Sequence, residues 1–338
     1  MSIDALRDTV TIEEVAAAAG VSRSTVSRVV NGSTAVSPAA LESVQRAIAA
    51  LNYVPNRAAR SLASRQTHAL ALIVPEDTTR FFGDPFFAAI VSGINAELGR
   101  SDYVLNLFIA SDDPGDKTTS YIRSGAVDGA FIVSHHTSDT YIDRIAAAVP
   151  VVYGGRPARE RERDYYVDVD NVEGGRLATQ YLIGRGHRRI ASITGPLTMP
   201  AGLDRLQGYR EAMSAAGLPE SDVEEGGFTA DGGAAAMQRI LDRGGELPEA
   251  IFAASDLMAR GALQVLARAG LRVPDDIAIM GFDDSPVATT VRPQLTTMRQ
   301  PSFLQGERMA STLLGLLAGQ SPRHVTILDT ELVVRDSA

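Results

Sequence analysis

Between Ser22 and Asn31 the chain sets Arg23, Ser24, Ser27 and Arg28 on one side of a short helical pattern, with Val26, Val29 and Val30 on the other. An arginine fork donates two bonds to O6 and N7 of guanine, and short hydroxyl side chains allow close approach while bonding phosphates or base edges. This is groove-reading chemistry, and it needs a scaffold. Thr11-Ile12-Glu13-Glu14 is a capping box that starts one helix, and Gly20 permits the left-handed backbone that ends it. Ser22 caps the next, Asn31-Gly32 stops it, and Ser37-Pro38 opens a third with Leu41, Val44, Ile48 and Leu51 as its apolar stripe. Two helices joined by a tight glycine turn make a helix-turn-helix, whose second helix enters the major groove. Purely structural helix pairs share that spacing.

The chain has 338 residues, 45% of them hydrophobic and none of them cysteine. Its length suggests two or three domains, and disulfides, thiolate metal sites and a cysteine nucleophile are excluded. The net charge of −9 is uneven: residues 21–67 carry +5, whereas residues 68–338 carry −11. A basic head on an acidic body suggests a polyanion-binding module attached to a domain that binds something else, although a solvated surface gives the same signature. No apolar run approaches the roughly 20 residues that span a bilayer. Residues 1–10 hold no apolar signal core, so a cytoplasmic protein is expected.

From residue 68 apolar strand-length runs (69–74, 104–109, 129–133, 149–153, 190–194, 250–254 and 277–282) alternate with amphipathic helix-length segments (86–99, 173–185, 202–216, 232–243 and 256–269). That alternation signals parallel sheets covered by helices on both faces, here in two lobes divided near residues 166–171. Little in this body looks catalytic. His135-His136 lies at a strand end, where adjacent imidazoles point apart, and no further ligands suggest a metal. Asp112-Asp113 and Asp283-Asp284 are sequence neighbours that rarely converge on one bond. His187 sits in a turn, and residues 159–164 alternate in sign as a solvated loop does. No Walker A run, zinc-protease motif or Gly-x-Ser-x-Gly elbow occurs, so no enzyme, metal or cofactor is expected.

The runs from Thr11 to Ser22, from Thr25 to Gly32 and from Leu51 to Asn56 closely resemble the headpiece of the LacI/GalR family, and the run from Ala58 to Ala63 its hinge helix. Gly195-Pro196, the run from Asp204 to Tyr209, the run from Gly281 to Asp284 and the run from Thr296 to Gln300 fall where that family's sensor domain has similar segments. The resemblance implies a small all-α helix-turn-helix headpiece (1–55), a hinge (56–67) and an effector-binding domain (68–338). That domain would have the type I periplasmic-binding-protein fold, two doubly wound parallel-sheet lobes, one about 68–168 with 298–326 and the other about 169–297 with 327–338.

By the same resemblance Arg23 and Ser24 choose the operator, Thr25, Ser27 and Arg28 contact backbone and a guanine, and Asn31 anchors a phosphate. Further DNA contacts are implied for Thr11, Ser22, Tyr53, Asn56, Arg57, Ala59 and Arg60. Leu62 matches a hinge leucine that wedges into the minor groove, for which a readily deformed central CG step is expected. In the cleft it implies effector contacts from Phe82, Asp84, Phe86, Arg205, Phe228 and Asp283, with Ser255, Asp256, Gln300 and His135 as weaker candidates. Paired Arg and Asp groups satisfy sugar hydroxyls while an aromatic face covers the apolar side of a pyranose. The run from Phe81 to Phe87 suggests an extended stacking surface, as in disaccharide-responsive members. Phe87 and one of Phe81 or Phe82 have a core reading, and Asp84 has an alternative role as a helix cap. The expected protein is therefore a homodimeric repressor on a pseudo-palindromic operator, released by a glucose-containing disaccharide, and without the leucine-rich tail of tetrameric members. The rivals are a ligand-activated, purine-type corepressor system and a sugar-binding transport protein without DNA function.

Overall fold

A computed structural model describes residues 10–30, 35–54, 66–109, 111, 113–220 and 222–338. The chain divides into two units, residues 1–67 and 68–338. In the first, α1 (Ile12–Ala19), α2 (Arg23–Val30) and α3 (Pro38–Leu51) close on a core of Val15, Ala16, Ala19, Val26, Val44 and Ala47. The capping box is formed: Glu14 N donates to Thr11 Oγ1 at 3.3 Å and Thr11 N to Glu14 Oε2 at 2.7 Å. Gly20 ends α1 at φ 65°, and Ser43 Oγ donates to the Ala19 carbonyl at 2.9 Å, tying the turn to α3.

The second unit holds two six-stranded sheets. The first contains β1 (Ala69–Val74), β2 (Val104–Ile109), β3 (Gly129–Val133), β4 (Val151–Gly154), β5 (Tyr165–Val169) and β11 (Val325–Leu328), in the order β11-β5-β4-β3-β1-β2, all parallel. The second contains β6 (Ile190–Thr194), β7 (Val223–Glu225), β8 (Ala250–Ala253), β9 (Ala278–Asp283), β10 (Thr296–Arg299) and β12 (Glu331–Val333), in the order β12-β10-β9-β8-β6-β7, with only β12 antiparallel. Apolar clusters lie on both faces of each sheet, which is why central strands such as β1 and β8 are buried at every position.

Helices follow as α4 (Thr78–Gly83), α5 (Pro85–Leu98), α6 (Lys117–Tyr121), α7 (Tyr141–Ala146), α8 (Asn171–Gly184), α9 (Pro200–Ala215), α10 (Ala230–Asp242), α11 (Asp256–Arg268), α12 (Pro286–Thr290) and α13 (Ser302–Leu317). The seven strands read from apolar runs are present, the one expected at 149–153 beginning at Val151. Strands β5, β7, β10, β11 and β12 have no such run, because they are short or carry charges, as in Val223–Glu225. The chain passes between lobes after Val169, after Arg299 and after Leu328. The last two passages fall a few residues beyond 298 and 327, since Met298 and Arg299 pair with β9 while Ile327 and Leu328 pair with β5.

Candidate functional site

On α2 the exposed side presents Arg23, Ser24 and Arg28, with Thr25 and Ser27 half-buried beside the core residue Val26. Ser22 caps the helix: its Oγ accepts from Thr25 N at 3.2 Å and lies 2.8 Å from Ser24 Oγ and 2.9 Å from Thr25 Oγ1. Arg23 folds back on α1, Nη1 3.0 Å from Glu13 Oε1, in a pair exposed on both sides. Such an exposed pair contributes little to stability. Thr11 is occupied in the capping box, and Tyr53, whose N–H donates to the Ile48 carbonyl at 3.0 Å, packs on the headpiece core. Asn31, Asn56, Arg57, Ala59, Arg60 and Leu62 lie outside the described residues.

In the second unit both sheets point their carboxyl ends at a shared cavity. Arg205, on α9, stands in it almost wholly buried. Its Nε donates to Asn171 Oδ1 at 2.9 Å and its Nη1 to the Ala254 carbonyl at 2.7 Å, which fixes the guanidinium plane. The other edge faces Asp283 Oδ1 at 3.4 Å and Gln300 Oε1 at 3.5 Å, and Gln300 Nε2 donates to Asp283 Oδ1 at 2.7 Å. Its Cζ lies 3.7 Å from the Phe282 ring centre and 5.5 Å from that of Phe228. Phe228 closes one wall, Asp84 and Phe86 stand on the first lobe's side, and Ser255 lines the cavity while capping α11.

Three carboxyls surround this one arginine. Burial raises Asp283 well above the ordinary carboxylate range, against the opposing pull of Arg205. Burial also raises Asp84, whose carboxylate accepts from Phe86 N at 3.0 Å, so Asp84 both caps α5 and faces the cavity. Asp168 is pushed up to about 6 by burial and accepts from Arg156 N at 2.7 Å and Asn171 Nδ2 at 3.0 Å. Desolvation lowers Arg205. Groups this finely balanced suit a neutral, hydroxyl-rich ligand better than an anion or a cation.

Asp84, Phe86, Arg205, Phe228, Ser255, Asp283 and Gln300 thus meet in the cavity, and Phe82, His135 and Asp256 do not. Phe82 is 76% exposed, edge-on to Phe81, while Phe81 and Phe87 are core; the stacking surface suggested by four phenylalanines shrinks to Phe86 with Phe228 opposite. His135 is buried elsewhere. Its Nε2 accepts from Ala158 N at 2.9 Å, it lies against Tyr153, and burial drops it to about 4. Asp256 is fully buried beneath β9, accepting from Thr297 Oγ1 at 2.7 Å and Ser285 N at 2.8 Å, so it shapes the loop after Asp283.

The cavity is also lined by Arg80, Ser134, Asp168, Asn171 and Gln305, to which the family resemblance does not point. Asp168-Val169-Asp170-Asn171 is a strand end followed by a helix cap, a pattern that flags a sheet's carboxyl rim. The others have no sequence signal. Among the described residues, no group of His, Asp or Glu is arranged to hold a metal ion, and no helix is long and apolar enough to cross a membrane.

The sequence matches bacterial regulatory proteins of the lacI family over residues 11–56 and the periplasmic binding protein-like domain over residues 179–338. It is 48% identical to the HTH-type transcriptional regulator CelR of Thermobifida fusca, covering 97% of this chain and 98% of that one. It is 37% identical to the ribose operon repressor of Escherichia coli K12 over 90% of this chain and 92% of that repressor. Among solved structures, it is similar to a CelR–cellobiose complex with a TM-score of 0.78 and 45% identity, covering 97% of this chain and 100% of that one. It is similar also to the lac repressor dimer bound to operator and an anti-inducer, with a TM-score of 0.85 and 30% identity over 98% and 99% of the two chains. The fold and site define a ligand-sensing, DNA-binding regulator. The chain belongs to the LacI family of bacterial transcriptional regulators.

Proposed function

We propose that the protein is a non-catalytic cytoplasmic repressor whose operator binding is weakened by a disaccharide of glucose held between the lobes, with cellobiose as the first candidate. The observation that carries this reading is the Arg205–Asp283–Gln300 group opposite Phe228 and Phe86. It offers paired donors and acceptors for vicinal hydroxyls, near-balanced charge, and aromatic faces for the apolar side of a sugar ring. The likeness to a regulator solved with cellobiose supports the choice of sugar.

A homodimer places one α2 in each half of a pseudo-palindromic site, since two-fold protein symmetry meets two-fold operator symmetry. The ligand shifts the DNA-bound population only by its differential affinity for the two states, typically ~1–3 kcal/mol, or about 5- to 150-fold. The test is titration of labelled operator with the full-length chain, with and without cellobiose. Weaker DNA binding in its presence is the expected result. Strengthened binding would make the protein a corepressor-type regulator, and failure to bind a palindrome in any state would sink the proposal.

A further inference from the structure

Arg80, on α4 in the first lobe, reaches across the cleft. Its Nη1 donates to the carbonyls of Gly227 and Phe228 in the second lobe, both at 3.0 Å. Those residues form a left-handed turn with φ 63° and 56°. A phenylalanine enters that region only when its surroundings hold it there. The Phe228 ring occupies the space over Gly195, where any Cβ would overlap it, and its centre lies 5.5 Å from the guanidinium carbons of both Arg80 and Arg205.

Arg80 is itself anchored. Its Nε lies 3.1 Å from Glu76 Oε1, close enough for charge pairing but off the line of a hydrogen bond. Glu76 is buried, accepts from Ser134 Oγ at 2.6 Å and faces His136 Nε2 at 3.5 Å. The opposite ring nitrogen, His136 Nδ1, lies 2.7 Å from Thr198 Oγ1 of the second lobe. One carboxylate therefore backs two side chains that bridge the cleft.

Arg80, Asp84 and Phe228 line the inner cavity on one side and, on the other, a groove that also holds Asp77, Asp231 and Arg260. These three residues are the partition between the two spaces, and Arg80 is the member whose side chain pairs with a carboxylate of its own lobe while hydrogen-bonding the backbone of the other. We propose that Arg80, backed by Glu76, is a positioning residue that fixes the Phe228 wall and closes the inner cavity toward the outer groove, so that it sets the length of saccharide the site accepts. This rests on the carbohydrate reading above.

Calorimetric titration of the full-length chain with cellobiose and with cellotriose tests it, in the wild type and in Arg80→Ala, Arg80→Lys and Glu76→Gln. The wild type should prefer the disaccharide. Arg80→Ala should weaken cellobiose at least tenfold and move the cellobiose-to-cellotriose affinity ratio at least fivefold toward the trisaccharide. Arg80→Lys and Glu76→Gln, which preserve more of the local packing, should move the ratio in the same direction by less. An unchanged ratio in the Arg80 variants overturns the proposal, even if both affinities fall, because a general loss of fold lowers both alike. A wild-type chain that binds neither sugar defeats the carbohydrate reading, and the length-setting role goes with it.

Discussion

Arg205 is costly to bury, and its surroundings answer nearly every donor it carries. Replacing it by alanine leaves Asp283 and Asp168 in an enclosed site with no guanidinium between them. Arg205→Ala should weaken cellobiose by on the order of 2–3 kcal/mol, the worth of one or two charged hydrogen bonds, and abolish sugar-dependent operator release. Operator affinity without sugar is the control, and its loss would mark Arg205 as structural. Asp168 carries a separate prediction. Burial holds it at about 6 in the folded protein, against an ordinary 3.8, so the folded state binds its proton more tightly than the unfolded chain does. Its contribution to stability is therefore fullest below pH 4 and is lost as pH rises to about 6. Asp168→Asn removes that dependence. Measured by denaturant melts, the variant should gain on the wild type by up to ~3 kcal/mol between pH 4 and 6, with a constant difference above. A flat difference across that range would place Asp168 in contact with water. His135, held near 4 by burial, acts in the opposite sense in both proteins and cancels in the comparison.

Elements meet at the cavity because helices of neighbouring sheet connections pack backbone to backbone. Gly175 and Gly208 sit where α8 crosses α9: a Cβ on Gly208 would overlap the Val172 carbonyl, and one on Gly175 the Arg205 carbonyl. The same close approach recurs between α5 and α13 at Gly93 and Gly306. Because α8 bears Asn171 and α9 bears Arg205, the crossing sets the 2.9 Å bond between them. Gly208→Ala should lower stability by about 1–3 kcal/mol, as overpacking does, and reduce sugar affinity as well. A variant with wild-type melting and wild-type affinity would show that the crossing yields without displacing Arg205.

Across the whole chain, the proposed DNA reading and the proposed ligand sensing fall in separate compact units, residues 1–67 and 68–338. Arg28→Ala, on the exposed side of α2, should therefore cost roughly 1–3 kcal/mol on operator DNA and relax specificity at one base pair. Cellobiose titration of the same variant should match the wild type. A parallel fall in sugar affinity would contradict the division of labour, and unchanged operator binding would move α2's contacts elsewhere.

Local rules made the headpiece legible. A capping box, a glycine turn and an alternation of valines with exposed arginines act within about eight residues, so the chain states them in order. The central strands were equally plain, because a sheet covered on both faces needs unbroken apolar runs. In the cleft, Arg205, Asp84, Phe86 and Phe228 could be nominated from family resemblance. Which phenylalanine faces the cavity, why Asp256 and His135 do not, and that Arg80 spans the lobes depend on contacts between residues as far as 148 positions apart. Helical phase, sheet order and the crossings of the chain set those contacts together. No short segment carries that information, since each partner's position is determined by packing on a different sheet.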